Sequence, residues 1–395
     1  MSVPSVDGAD ARRAIPERVR LVGGAHTALG RLPGTTPIEL QAEAAHRALA
    51  DAGLSPREVD AVICQSPFTR ALFFNAESLA EYIGAQPAIT HTLAGGAVGT
   101  SMATSASAWI AGGIARVVLC VYGETAATAS RGVSGLAMAA GEAMEEFEKV
   151  YAASAPPIQY ALLARRYLDR YSYTEDALGA VAIADSEHAV LNPAATRREP
   201  ISLAAYHAAR PVADPLKVLD CALISDGGCA FVLADRSVAR RSPQPEVAVL
   251  GLGGASTHWQ LAQAPDLDDL GIARSARQAY DMAGVGPDDI DVAQLYDCFT
   301  IAVLLQLEGL NFCGPGEGGQ YALAGKLRLG SERPVNTYGG LLSCAHLADT
   351  LAIVEALHQL RGTAGPRQVP DARLALVTGI AGWVSTHRTL ILGRV

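Results

Sequence analysis

The apolar and polar positions divide the chain into strand–helix units. Residues 19–30 predict a strand and turn, and residues 37–53 carry apolar side chains at helical spacing and end on glycine. Residues 59–65 form a short apolar run of strand type. A glycine-rich turn at 93–99 leads into an alanine-rich helix over 100–112, and a continuous apolar run at 115–122 has the character of a buried strand. Alternating helices and strands predict an α/β layered fold.

From residue 123 to 219 the rhythm breaks. This segment holds Ala155-Pro156-Pro157, a helical stretch at 160–171 and Leu191-Asn192-Pro193, and is expected to form a loop domain over the core. Residues 219–234 return to the first pattern, with Asp226-Gly227-Gly228 as a turn and 229–233 as an apolar strand. Residues 242–245 (Ser-Pro-Gln-Pro) predict a linker, and 247–253 open a second half. Residues 48–60 align without a gap on 279–291: alanine, Ala-Gly, proline, an acidic residue, a β-branched residue and aspartate recur in register. In both halves this unit leads to a strand, a Gly-Gly turn (Gly95-Gly96, Gly339-Gly340) and a helix of small residues. The organisation expected is a polar tail over 1–18, an N-terminal half over 19–241 with its loop domain at 123–219, and a C-terminal half over 246–395.

Composition narrows the function. A chain of 395 residues exceeds the usual single core. Half its residues are hydrophobic and 18% are charged, which suits a large core and a buried oligomer interface. The formal net charge of −9, with no basic run, argues against nucleic acid as a partner. No apolar run reaches the roughly 18 residues of a membrane span, and the first 20 residues have no apolar signal core. The seven cysteines form no CxxC pair, so neither a disulfide framework nor a zinc site is implied, and a reducing cytoplasm is the expected location.

Candidate chemistry gathers at two junctions that lead into helix-like runs, Gln294-Leu295-Tyr296-Asp297-Cys298-Phe299-Thr300 and Asn336 to His346. Backbone N–H groups are free at such places. His346 can hold or donate a proton near neutrality, its unperturbed pKa being roughly 6.5. Tyr296, with a pKa of roughly 10, suits a neutral donor to an oxyanion, or a base if a neighbour assists. Tyr338 is a candidate for the same pocket, and Cys344 a candidate thiol. Asp297 and Thr300 are expected to cap the following helix, and Cys298 to be a buried small hydrophobe. Asn336 either orients a ligand or closes a turn. His258 and Trp259 are candidates to line an acyl channel, while Arg165 and Arg166 suit a solvated helix face better than a phosphate site.

These words resemble the thiolase superfamily, and within it the sterol-carrier-protein-x branch. Tyr-Asp-Cys-Phe-Thr (296–300) is similar to that branch's His-Asp-Cys-Phe block, and residues 336–346 to its Asn-x-x-Gly-Gly-x-x-x-x-Gly-His block. Arg165-Arg166-Tyr167, His188-Ala189 and Asn192-Pro193-Ala194 resemble its loop-domain landmarks, and the likeness spans about 19–392. The resemblance implies a duplicated five-layered α-β-α-β-α thiolase fold, a homodimer, and an acyl-CoA substrate with coenzyme A as part of the substrate rather than a cofactor held by this chain. It also implies that Gly96, Gly339, Gly340 and Gly379 lie at the ligand; no metal site is expected.

Two departures carry the function. The family's nucleophilic cysteine falls on Gly96 and its second, acid/base cysteine on Gly379. Glycine offers no nucleophile and moves no proton, so thiolysis through a thioester is disfavoured. The bacterial aldolases that shorten sterol side chains also lack the nucleophilic cysteine and carry tyrosine at the position of Tyr296. They cleave β-hydroxyacyl-CoA by a retro-aldol step, with a small OB-fold/zinc-ribbon partner in a heterotetramer. They have tyrosine where this chain has His346, whereas His346 matches true thiolases; Leu347 replaces the proline that follows. The expectation is a C–C lyase in which Tyr296 handles the hydroxyl proton while His346 and backbone N–H groups hold the enolate oxygen. The alternatives are acyl transfer through Cys344, Cys298 or a partner thiol, and a non-catalytic acyl carrier or structural subunit.

Overall fold

The computed structural model describes residues 14–93, 95–129, 144–151, 155–241 and 244–395. Its strands are β1 (Val19–His26), β2 (Ala61–Gln65), β3 (Ile89–Leu93), β4 (Val117–Thr125), the short hairpin β5 (Pro211–Ala213) and β6 (Leu216–Lys217), β7 (Asp226–Asp235), β8 (Val247–Ser256), β9 (Val292–Gln294), β10 (Leu374–Ala381) and β11 (Thr386–Arg394). The main helices are α1 (Pro37–Ala52), α2 (Asn75–Ile83), α3 (Val98–Ala111), α4 (Pro156–Tyr171), α5 (Asp176–Val190), α6 (Ile272–Ala283), α7 (Thr300–Gly309) and α8 (Thr350–Arg361).

The strands run in the order β3-β2-β4-β7-β1-β8-β11-β10-β9. Read from each outer edge toward the middle, the two ends match. β2 pairs parallel with β4, β4 antiparallel with β7, and β7 antiparallel with β1. Likewise β9 pairs parallel with β10, β10 antiparallel with β11, and β11 antiparallel with β8. Where β3 lies beside β2, Val335 makes an isolated parallel bridge to Ala293 of β9. The halves meet at one antiparallel pairing, Arg20 with Ala248.

Side-chain alternation along the strands builds the layers. In β4, Val117, Leu119 and Val121 face α1 and α2, while Val118, Cys120 and Tyr122 face α3 and α8. In β10, Ala375 and Val377 face that same central helix layer, and Leu376 and Ile380 face α6 and α7. The result is helix, sheet, helix, sheet, helix. Helices α4 and α5 of the inserted segment pack on the α6/α7 side, so they cover the C-terminal half.

The repeat is also visible in how strand glycines receive helices. A Cβ on Gly23 of β1 would collide with the Ala48 carbonyl oxygen and lie 2.8 Å from Ala52 Cβ; one on Gly251 of β8 would collide with the Ala279 oxygen and lie 3.0 Å from Ala283 Cβ. The two helices begin after different caps, Thr36 and Gly271, but end alike, on Gly53 and Gly284 in the left-handed region.

Two expectations need correction. Asp226-Gly227-Gly228 is not a turn but the start of β7. Gly228 is needed there because the α1 backbone at Leu40 occupies the space of a side chain. The end of the expected polar tail is also packed: residues 14–18 are helical, Ile15 is buried, and Arg18 makes a 2.8 Å ion pair with Asp235. The rest of that tail, the 130–143 and 152–154 parts of the expected loop domain and residues 242–243 of the linker lie outside the described residues. Among the described residues no helix is long and apolar enough to cross a membrane, and no group of three acidic, histidine or cysteine side chains is placed to hold a metal.

Overpacking a closed helix–strand contact costs about 1–3 kcal/mol. Gly23→Ala and Gly251→Ala are each expected to lower the unfolding free energy from urea titration by that amount or more, with a lower midpoint; an unchanged midpoint for either would contradict the close approach.

Candidate active site

Tyr296 leaves the end of β9 and His346 leaves the turn Gly340–Cys344. Their side chains meet: Tyr296 Oη lies 3.3 Å from His346 Nε2, with the rings edge-on and centroids 6.3 Å apart. Both residues are half-buried, while Leu295, Asp297, Ala345 and Leu347 beside them are fully buried. Each backbone is pinned. The Tyr296 N–H donates to Thr378 Oγ1 at 3.0 Å, Gln306 Nε2 donates to the Tyr296 carbonyl at 2.9 Å, and the His346 N–H donates to Ser225 Oγ at 3.1 Å. The motif reading overlooked Thr378, Gln306 and Ser225, because nothing local in sequence ties them to residues 296 and 346.

The pair is electrically neutral at rest. Burial pulls the His346 imidazole down to about 4, so it carries no charge at neutral pH. Burial pushes the Tyr296 phenol well up, and the nearby Cys298 and Asp349 add to that. Either member can donate across the 3.3 Å contact according to the imidazole tautomer. A stack of Tyr160 on Phe299, centroids 4.3 Å apart, packs beside Cys298 and Tyr296.

The positions of the two missing sulfurs are closed. A Cβ on Gly96 would lie 2.7 Å from Ala381 Cβ and 3.1 Å from the Ile380 oxygen. The Ala97 N–H donates to that same oxygen, and Ala97 sits at φ 52°, which fixes the turn against β10. A Cβ on Gly379 would collide with Asp349 Oδ2 and Thr100 Oγ1. Asp349 was not anticipated from sequence. Its carboxylate accepts from Gly99 N (2.8 Å), Thr100 N (2.7 Å) and Thr100 Oγ1 (2.7 Å), so it caps α3 from the other half of the chain. At Gly96 and Gly379, then, backbone, a methyl group, a hydroxyl and a carboxylate fill the space that a side chain would need.

Several other expected site residues lie elsewhere. Tyr338 and Cys344 are 3% and 1% exposed in the central core. Asn192 Nδ2 donates to the Tyr338 carbonyl at 2.8 Å and approaches Cys344 Sγ at 3.5 Å. Burial pushes both the Tyr338 phenol and the Cys344 thiol up, which removes Cys344 as a ready thiolate. Cys298 is buried and pushed up to about 12. Gly339 and Gly340 have φ of 98° and 61° and are required by packing: Ala189 of α5 fills the side-chain space of the first and Asp297 that of the second. The Gly339 N–H is already given to the Asn336 carbonyl. Asn336 closes the turn, its Oδ1 accepting from Leu295 N at 2.7 Å.

Asp297 does not cap α7 as expected; it accepts from Leu341 N (2.9 Å) and Leu342 N (3.0 Å). Thr300 Oγ1 donates to Asp220. Arg165 and Arg166 pair with Asp214 and Asp268 on the exposed face of α4. Trp259 lies against Gly382, the neighbour of Ala381, and is 46% exposed, while His258 Nδ1 contacts Thr257 Oγ1 at 2.9 Å.

The fold and this site define a thiolase-like protein with a tyrosine–histidine pair and glycine at residues 96 and 379. Residues 253–394 match the family described as "Thiolase C-terminal domain-like". The chain is 32% identical to the "Steroid side-chain-cleaving aldolase" of Thermomonospora curvata, over 96% of this chain and 98% of that protein. It is also 32% identical to the "17-hydroxy-3-oxo-4-pregnene-20-carboxyl-CoA lyase" of Mycobacterium tuberculosis, over 94% and 98%. The solved "Ltp2-ChsH2(DUF35) aldolase" superposes with a TM-score of 0.87 at 30% identity, covering 96% of this chain and 99% of that one. The chain belongs to the thiolase superfamily, and the relatives just described are aldolases and a lyase.

Two outcomes follow from this geometry. The NMR titration of His346, assigned by the signal lost in His346→Asn, is expected to fall near 4; a midpoint near the ordinary 6.5 would remove the neutral-pair description. Gly96→Cys is expected to yield no acyl-enzyme by intact mass after incubation with acetyl-CoA, because Ala381 occupies the side-chain space; a stoichiometric adduct on residue 96 would show that the turn can open.

Proposed function

We propose that this protein cleaves a β-hydroxyacyl-CoA by a retro-aldol step, giving a carbonyl compound and a shortened acyl-CoA. The observation that carries the reading is the neutral Tyr296–His346 contact beside two closed sulfur positions. In the forward step the β-hydroxyl gives its proton to Tyr296 Oη as the phenol proton passes to His346 Nε2. The oxygen lone pair becomes the new C=O, the Cα–Cβ bond breaks, and its electron pair becomes the thioester enolate. The enolate carbon then takes the proton back from the imidazolium. Burial disfavours phenolate and imidazolium alike, so the proton moves in concert with bond cleavage, no free phenolate forms, and the imidazolium exists only opposite the enolate it then protonates. No external acid, base or oxidant is needed.

The relatives' names support this reading. One names a steroid side chain as what is cleaved, and another a hydroxylated carboxyl-CoA as the lyase's substrate. A bulky, steroid-like acyl group is accordingly proposed here, with coenzyme A as part of the substrate. The name of the solved aldolase joins two components, which supports a partner protein; a small OB-fold/zinc-ribbon partner that completes the acyl site of a dimer of this chain is the form proposed. A cytoplasmic location fits an acyl-CoA substrate.

A positioned acid or base is worth about a hundredfold to ten-thousandfold in rate. Product analysis with a β-hydroxyacyl-CoA plus the partner is expected to show the free carbonyl compound, and Tyr296→Phe to lower kcat by that range. A variant at full rate, or thiolysis products in place of the carbonyl compound, would refute the reading.

A further inference from the structure

Between the two site segments lies a pair of buried carboxyl groups, Asp185 and Asp297, that the mechanism does not use. Asp297 directly follows Tyr296 and is fully buried. It reaches across to accept the Leu341 and Leu342 N–H groups, inside the turn that leads to His346. Asp185, on α5 of the inserted segment, is 2% exposed and faces the same spot: a Cβ on Gly340 would collide with Asp297 Oδ2 and lie 2.9 Å from Asp185 Oδ2. Among the described residues, Asp185 Oδ2 has no well-formed hydrogen bond; its nearest polar groups are the Asp297 carboxyl and the Asn336 amide, whose Nδ2 is likewise left without a well-formed bond. Two ionised carboxylates cannot share so dry a site, and an orphaned buried oxygen is costly. A proton on Asp185 Oδ2, directed at Asp297, relieves both faults at once.

We infer that Asp185 and Asp297 hold one proton between them and act as a positioning clasp that keeps Tyr296 and His346 at bonding distance. Asp297 needs both its oxygens as acceptors for the turn, so the proton belongs to Asp185. The clasp thereby couples α5 to both site segments at once. The groups facing the pair are Arg197, Tyr338, Cys344 and the neutral Asn336 amide, which opposes the rise of Asp185, on one side and Tyr296 and Cys298 on the other. Of these only Arg197 carries charge at neutral pH, and its guanidinium is engaged with the Leu342 carbonyl at 2.7 Å and Ser343 Oγ at 3.2 Å. Burial and the Asp297 charge push the Asp185 carboxyl well up; burial also raises Asp297, while Asp185 and the two N–H donors oppose that rise.

Unfolded aspartate ionises near 3.9, whereas folded Asp185 keeps its proton above that. The folded state then binds more protons than the unfolded state, so this pair's contribution to stability falls as pH rises through that window.

The catalytic consequence rests on the aldol reading; the shared proton does not. The difference infrared spectrum, wild type minus Asp185→Asn, is expected to show the carbonyl band of a protonated carboxyl at neutral pH. The variant is also expected to gain stability relative to wild type as pH rises above about 4. In turnover, Asp297→Asn has one acceptor for two N–H groups and is expected to lower kcat about a hundredfold with a much smaller change in KM. Asp185→Asn is expected to move the alkaline limb of kcat upward. If Asp185→Asn does not fold, the wild-type band and its loss at high pH decide the matter. Absence of the band, or parallel stability profiles, overturns the inference. If no β-hydroxyacyl-CoA turns over while the band is present, the aldol reading fails and the shared proton stands.

Discussion

One carboxylate sets the geometry around which the rest is arranged. Asp349 fills the space beside Gly379 and gives both oxygens to the first turn of α3. The N-terminus of a helix carries partial positive charge and unpaired N–H groups. In this protein a buried internal anion satisfies both, reaching across from the C-terminal half. Desolvation pushes the Asp349 carboxyl above its usual range and the three donors oppose that shift. The cap draws the turn at residues 95–97 against Ile380 and Ala381, and that approach leaves no room for a side chain on residue 96. The absence of a side chain at residues 96 and 379 is thus part of one packing arrangement.

The duplication explains why two distant stretches converge. Each half sends its central helix, α3 or α8, into the layer between the sheets. Segments that precede those helices therefore meet near the middle of the molecule: the 95–97 turn before α3, and the 339–349 stretch before α8. Residue 296 arrives from β9, next to β10, whose Thr378 binds its N–H. The reacting groups thus sit on backbone held by neighbouring strands, and small errors in their separation are suppressed where they would cost most in rate.

Much of this was legible in the residues. The strand–helix rhythm, the internal match of 48–60 with 279–291 and the Tyr296 and His346 motifs all depend on local pattern, which a linear reading captures. Long-range satisfaction of buried groups does not leave such a trace. Asp349 serves donors at 99 and 100, Ser225 serves His346, and Asp185 faces Asp297. Each pairing joins residues with no shared spacing. The same limit misled the assignment of Asp297, whose position just before a helix suits a cap, whereas its oxygens serve another turn. Glycines misled in a related way. At 228, 339 and 340 they answer to an approaching backbone, methyl or carboxyl group, and sequence marks the glycine without naming the neighbour.

Burial then determines which chemistry remains. In a thiolate mechanism a low-dielectric site must hold an anion on sulfur before substrate arrives. Every cysteine near the two junctions has instead been pushed toward its neutral form, Cys298 to about 12 and Cys344 further. The same desolvation that disables the thiols holds His346 uncharged and Tyr296 protonated. A neutral donor and a neutral acceptor in contact can exchange a proton with a substrate without first separating charge. This dry interior, unfavourable to a stored anion, suits a reaction whose negative charge appears only as the carbon–carbon bond breaks.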